Sequence, residues 1–151
     1  MEALTGLVYL SRANMEFDEA RLKELENHAA QRNAGLGVTG YLFFFDGKFV
    51  QYIEGLPSVV ADLMTRIRRD DRHAVIYELN DSIDRRRFPA WDMRLIRRKS
   101  FMSFEHLLTD HLSFANSLPD QNTALDHEFA KSVTWRMIES MSALHTALEA
   151  S

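Results

Sequence analysis

The turn Asp46-Gly47 constrains this chain more than any other feature. It sits between Gly37-Val38-Thr39-Gly40-Tyr41-Leu42-Phe43-Phe44-Phe45 and Lys48-Phe49-Val50-Gln51-Tyr52-Ile53-Glu54-Gly55. A two-residue Asp-Gly turn between apolar runs closes a β-hairpin, because both turn positions need positive φ and these residue types tolerate it. The turn fixes the register: Phe45 faces Lys48, Phe44 faces Phe49, Phe43 faces Val50, Leu42 faces Gln51, Tyr41 faces Tyr52 and Gly40 faces Ile53. Opposed residues share a sheet face. One face therefore holds Leu42, Phe44, Phe49, Gln51 and Ile53, and the other holds Tyr41, Phe43, Phe45, Val50 and Tyr52. Both faces are apolar, so both must be covered. Gln51 is a single amide among large hydrophobes. Left unpaired in a core it would cost about 1–3 kcal/mol, so it must have something to bond.

The rest of the chain supplies the cover. Thr5-Gly6-Leu7-Val8-Tyr9-Leu10-Ser11 reads as a strand with Leu7, Tyr9 and Ser11 on one side. A helix starts at Asp18, with acids in its first turn. Its apolar stripe Leu22, Leu25 and Ala29 carries helical spacing on to Asn33, and Ala34-Gly35-Leu36-Gly37 ends it. Pro57 suits the first turn of a second helix, with Val60, Leu63, Met64 and Ile67 as its stripe. Ala74–Leu79 predicts a fourth strand. Trp91–Ile96 predicts a fifth, in which alternation gives Trp91, Met93 and Leu95 one face. The order β-α-β-β-α-β plus one strand is that of an α+β, ferredoxin-like sandwich with both helices on one face of the sheet.

Residues 99–151 change character. Spacing predicts helices over about 101–114 and 123–148, broken at Ser117-Leu118-Pro119-Asp120 and capped by Asn122 or Thr123. The apolar stripe of the second runs Leu125, Phe129, Val133, Met137, Met141, Leu144 and Leu148, broadened by Trp135 and Ile138. Residues 1–98 thus form a sheet domain, and 99–151 a helical extension expected to cover the Tyr41/Phe43/Phe45/Val50/Tyr52 face.

Composition narrows the function classes. With 151 residues, 46% hydrophobic and 26% charged, this is one ordinary globular domain with an appendage. A net charge of −4 gives no reason to expect nucleic acid or an anionic membrane. The absence of cysteine removes disulfides, thiol nucleophiles and zinc–thiolate sites. With no signal segment and no membrane-length apolar run, the expectation is a cytoplasmic protein.

Three polar residues are pushed inward by these patterns: Tyr9, Asn33 and Gln51. A hydroxyl and two amides facing one apolar cavity can clamp the edge of a flat heteroaromatic ligand; equally, they can satisfy one another and the backbone. Arg66, Arg68, Arg69 and Arg72, with Arg85, Arg86 and Arg87, suit a phosphate, but interleaved Asp70, Asp71 and Asp84 favour solvated faces with local ion pairs. His106, His111, His127 and His145 lack metal-ligand spacing and read as surface residues. No phosphate-binding loop, dinucleotide fingerprint or nucleophile elbow is present.

Five stretches together resemble the BLUF domain, a flavin-binding sensor of blue light. They are Leu7-Val8-Tyr9-Leu10-Ser11; Arg32-Asn33 ahead of Gly37-Val38-Thr39-Gly40; Asp46 to Gly55; Ile67-Arg68-Arg69-Asp70-Asp71-Arg72-His73; and Arg87-Phe88-Pro89-Ala90-Trp91-Asp92-Met93. The resemblance covers about residues 4–97 and implies FAD held between the two helices and the sheet, in a pocket that would also take FMN or riboflavin. By motif it makes Tyr9 the photoactive tyrosine, Gln51 the switching glutamine, Asn33 the partner of the flavin's pyrimidine edge and Arg66 a contact to its sugar-alcohol chain. Trp91 and Met93 match the mobile strand-5 pair, and Arg32, Leu25, Ile67 and Phe49 complete the implied cofactor-binding set. Many members have two adjacent asparagines where this chain has Arg32-Asn33.

The implied function is a blue-light photoreceptor rather than an enzyme. Tyr9 would yield an electron and a proton under light, Gln51 would rearrange its hydrogen bonds, and the signal would leave through the C-terminal helices. Leu148 lies close to the last residue, so a stand-alone sensor is expected, acting as a homo-oligomer, a dimer, and on a separate signalling protein. The alternatives are a flavin-free ferredoxin-like small-molecule sensor or oligomerisation module, and an acylphosphatase-like hydrolase.

Overall fold

The computed structural model describes residues 3–97, 99–119 and 124–149. They fall into two compact units, Met1–Ile96 and Arg97–Ser151. The first runs β1 (Leu4–Ala13), α1 (Glu19–Leu36), β2 (Thr39–Phe45), β3 (Lys48–Gly55), α2 (Pro57–Arg69), β4 (His73–Ile83) and β5 (Asp92–Leu95). The sheet order is β4-β1-β3-β2-β5. β1 lies antiparallel to β3 and β4, β2 is antiparallel to β3, and β5 runs parallel to β2. This is the ferredoxin-like arrangement extended by an edge strand.

The hairpin adopts the register that its turn dictates, Leu42 against Gln51 and Phe44 against Phe49. Asp46 at φ 52° and Gly47 at φ 75° give the double left-handed turn whose twist matches the flanking strands. Gly40 answers a different need. A Cβ there would lie 1.9 Å from the Tyr52 carbonyl oxygen, so only glycine lets β2 approach β3 at this point.

Both helices pack on the face holding Leu7, Tyr9 and Ile53. Ala29 of α1 and Val60, Leu63, Met64 and Ile67 of α2 form one core cluster with them and with Met93. A second cluster, Leu42, Phe49 and Leu95, takes Leu22 and Leu25 of α1 with Phe17 and Phe44. Gln51 lies between the two. Asp18 caps α1, accepting from the Arg21 amide at 2.8 Å. β1 and β4 both run longer than sequence spacing indicates, because they pair with each other over nearly their whole length.

The fifth strand departs from simple alternation. Gly40 pairs with Asp92 but Tyr41 pairs with Arg94, so Met93 is an extra residue, at φ 107°. This bulge sends Met93 and Leu95 to the helix-covered face and Trp91 to the other, where alternation had put all three together. On that opposite face Phe88 stacks on Trp91, centroids 5.3 Å apart, and both rings meet Tyr41.

The second unit consists of α3 (Lys99–Ser117), longer than spacing predicts, and α4 (Ala124–Glu149), of the predicted length and displaced by one residue. The expected caps Asn122 and Thr123 lie outside the described residues, as do the side chains of Leu125 and Leu148. The buried line of α4 is Ala130, Thr134, Ile138, Met141 and His145, while Phe129 is exposed. It is rotated by one residue from the predicted stripe. Small and hydroxyl side chains suit a close helix contact: Thr134 returns its hydroxyl to the Ala130 carbonyl at 2.9 Å, and His111 Nε2 approaches the same oxygen at 2.9 Å. Two of the histidines read as surface residues are therefore structural: His145 is buried and His111 bridges the two helices. No described helix is long and apolar enough to cross a membrane.

Candidate functional site

Strand register places Tyr9, Gln51 and Leu42 in one row across β1, β3 and β2, on the face under the helices. Above this row opens a cleft with about 610 Å³ of space outside the atoms, its mouth included. Its floor is Tyr9, Gln51, Leu42 and Phe49. Leu25, His28, Ala29 and Arg32 of α1 form one wall, and Arg66 and Ile67 of α2 the other. The walls are apolar in depth and cationic at the rim, which suits a flat, largely apolar ligand with a polar or anionic tail.

The floor is organised by two hydrogen bonds. The Tyr9 hydroxyl donates to Gln51 Oε1, and Gln51 Nε2 donates to the Met93 sulfur at 3.0 Å. An amide has two N–H groups, so Gln51 keeps a second donor beyond these two bonds. Tyr9 and Gln51 are each only 3% exposed. Burial pushes the Tyr9 phenol well above its ordinary pKa; the charge of Arg32 opposes the rise and that of Asp70 adds to it. Tyr9 therefore stays protonated across the physiological range and remains a donor to Gln51.

His73 closes the floor behind Tyr9. Its Nε2 lies 2.9 Å from the Ile67 carbonyl, which can only accept, so that nitrogen holds the proton. Its Nδ1 meets the Ser11 hydroxyl at 2.7 Å. The ring stands edge-on to Tyr9 and Phe49, at 5.9 and 6.2 Å. At the rim, Arg72 bonds Asp70, 2.6 Å from Nη2 to Oδ2, which holds the Asp70 carboxyl below its ordinary range. Arg68 pairs with Glu78 and Arg87 with Asp84. Local ion pairs thus account for much of the arginine-rich sequence, while Arg66 and Arg72 also line the cleft.

Asn33 is completely buried at the deep end of α1. Its Oδ1 accepts from Arg32 Nε at 3.1 Å, whereas its Nδ2 has no hydrogen-bond partner among the described residues. A buried amide nitrogen in that state calls for an acceptor from a ligand.

Comparison with known proteins decides what the cleft belongs to. A family model described as BLUF, sensors of blue-light using FAD, matches residues 4–94. The chain belongs to the BLUF family. It is 32% identical over 106 residues, 69% of its length, to the photoactivated adenylate cyclase subunit beta of Euglena longa. It is 34% identical over 93 residues, 61% of its length, to the blue light- and temperature-regulated antirepressor BluF of Escherichia coli. The chain spans 12% and 23% of those two relatives. Among solved structures it is similar to BlrB, a BLUF protein in its dark state, with TM-score 0.64 and 32% identity over 87% of this chain and 98% of that one. It is also similar to the photo-activated state of BlsA, with TM-score 0.62 and 28% identity over 78% of this chain and 87% of that one.

BLUF domains bind a flavin, and the residues present fit one. The unpartnered Asn33 Nδ2 and the second Gln51 N–H are donors suited to ring carbonyls, and Leu25, Ala29, Leu42, Phe49 and Ile67 supply apolar walls for the ring. Of the site residues predicted from sequence, Tyr9, Leu25, Arg32, Phe49, Gln51, Arg66 and Ile67 line the cleft directly. Asn33 joins through Arg32, and Met93 through Gln51. Trp91 is not among the lining residues; it lies on the other face of the sheet. Sequence reasoning missed Phe17, His28, Ala29, Leu42, Asp70, Arg72 and His73. Helical spacing from Leu25 to Arg32 passes through His28 and Ala29, and Leu42 faces Gln51 in the hairpin, so those three were within reach. Asp70, Arg72 and His73 lie in a stretch that carries the resemblance but were given no cofactor role, and nothing in the local pattern marks Phe17.

Proposed function

We propose that this chain holds FAD in the α1–α2 cleft and switches under blue light through Tyr9, Gln51 and Met93. The observation that supports it most strongly is the chain of bonds from the Tyr9 hydroxyl through Gln51 to Met93, with Asn33 Nδ2 left for a ligand. A bound flavin supplies the absorption of blue light and an excited ring able to oxidise a phenol in contact with it.

The protein's part follows from its own groups. Tyr9, kept neutral by burial, releases an electron together with its hydroxyl proton and then recovers both, so no net redox change remains. Gln51 Oε1 is the acceptor at the end of that O–H, which makes the amide the group that must respond. Its dark arrangement uses oxygen toward Tyr9 and nitrogen toward Met93. Reversal of the amide would turn Oε1 to a thioether that has no proton to give, at a cost of about 1 kcal/mol. Met93 therefore biases Gln51 toward one orientation without locking it, as a reversible switch requires. Arg66 and Arg72 at the rim are placed for the anionic tail that distinguishes FAD from riboflavin.

In this reading the output leaves through α3 and α4 to a separate protein or a second copy of the chain. Exposed Leu107, Phe114 and Phe129 on those helices support it. The chain is a sensor in this scheme, and any catalytic consequence belongs to its partner. Purified protein is expected to be yellow and to release FAD on denaturation, identified by chromatography. Release of only FMN or riboflavin would overturn the assignment of FAD, and a colourless protein that takes up no flavin would overturn the function.

A further inference from the structure

Glu54 lies on the sheet face opposite Gln51 and is completely buried. Its carboxylate accepts four hydrogen bonds. Oε1 takes the Tyr52 hydroxyl at 3.0 Å and the Arg87 amide at 2.7 Å; Oε2 takes the Thr39 hydroxyl at 2.8 Å and the Phe88 amide at 2.9 Å. Two of these donors belong to β2 and β3. The other two are backbone N–H groups of the connection that leads from β4 into β5. Arg86 clamps the same connection from the far side, donating through Nη2 to the Gly37 carbonyl at 2.7 Å and through Nη1 to Thr39 Oγ1 at 2.9 Å.

What this anchor holds is the entry to β5. Phe88, fixed through its amide, stacks on Trp91, and the Trp91 carbonyl accepts from the Gly40 amide at 2.8 Å. On the other side of Met93, the Leu95 amide donates to Glu26 at 2.6 Å and the Ile96 amide to the Leu42 carbonyl at 2.8 Å. Met93 is thus a residue in a left-handed conformation slung between pinned neighbours. Such a conformation persists only where the surroundings impose it.

We infer that Glu54 is a positioning residue for the light switch: by fixing the amides of Arg87 and Phe88 it seats β5 so that Met93 meets Gln51 while Trp91 stays on the opposite face. This rests on the reading of Gln51 and Met93 given above. Chemistry provides a selective test. In Glu54→Gln one oxygen becomes an NH2 group, and whichever way the amide turns, that group confronts one backbone N–H. The Tyr52 and Thr39 hydroxyls can rotate to accept from it, but the Arg87 or Phe88 amide cannot. The substitution therefore loosens the connection and spares the strands.

The test uses flavin-loaded full chain. Glu54→Gln is expected to bind flavin as the parent does, to speed amide hydrogen exchange at Arg87 or Phe88 in the dark by about fivefold, the factor one lost hydrogen bond supplies, and to change the dark-recovery rate after a blue flash by a similar factor. Tyr52→Phe, which keeps the ring, both backbone bonds and the Arg86 clamp, is expected to recover at nearly the parental rate. Faster exchange with unchanged recovery would make Glu54 merely structural and overturn the proposal, as would an equal effect of Tyr52→Phe. Should Glu54→Gln fail to fold, Arg86→Gln loosens the same connection from its exposed side; recovery unchanged in that variant overturns the proposal equally. A parent chain that shows no light response would sink the switch reading itself, while dark exchange in the variants would still report on the anchor.

Discussion

Gln51 and Glu54 are three residues apart on β3, on opposite faces, and both are buried. Their surroundings differ in kind. Glu54 has two oxygens and four donors, two of them backbone amides. Gln51 has one strong partner, Tyr9, one soft partner, the Met93 sulfur, and a donor to spare. A group whose capacity is filled by rigid partners has one arrangement of low energy. A group with spare capacity and a weak partner has two that are close. In the proposed switch the same strand supports a fixed point and a movable one, and the bulge at Met93 lies between them.

The comparison breaks most visibly at Tyr9. Tyr9→Phe removes the hydroxyl that Gln51 accepts from, and is expected to retain flavin while abolishing the light-induced red shift, read by absorption before and after blue light. Next in size is Glu54→Ala, which strands the backbone amides of Arg87 and Phe88. Urea unfolding is expected to show a loss of about 2–6 kcal/mol, from about 1–3 kcal/mol for each unsatisfied donor. Met93→Leu sharpens the contrast. The volume is nearly conserved, so stability changes by less than about 1.5 kcal/mol, but the sulfur acceptor is gone and dark recovery is expected to shift by about fivefold. The smallest effect is an expected flatness. The folded-state pKa of Tyr9 is raised, so its contribution to stability is complete below the tyrosine's unfolded value and is lost only as pH rises past it. The amplitude of the light response is accordingly expected to be constant from neutral to mildly alkaline pH, measured across a buffer series.

Much of this was legible in the sequence, for reasons that can be named. The Asp46-Gly47 turn allows one register, and that register puts Gln51 on a core face; its place beside Tyr9 was implied by the resemblance and is set by the separate β1–β3 pairing. Helical spacing carried the buried line of α1 to Asn33. The separation of Trp91 from Met93 was not legible, because alternation assumes one residue per pleat and a bulge inserts another without a sequence mark. Nor was the anchor at Glu54 visible. Its four donors come from β2, its own strand and a connection more than thirty residues away. The rotated face of α4 has a similar cause. Hydrophobicity singles out Phe129, whereas the contact between two helices selects the small Ala130 and a hydroxyl that can satisfy itself.

We propose Gln51 as the movable group of the pair. Absorption spectra of parent protein and Gln51→Leu, recorded before and after the same blue-light exposure, test it directly. Both are expected to show bound flavin; the parent is expected to shift reversibly to the red and Gln51→Leu to show no normal shift. An equal, reversible red shift in Gln51→Leu would contradict it.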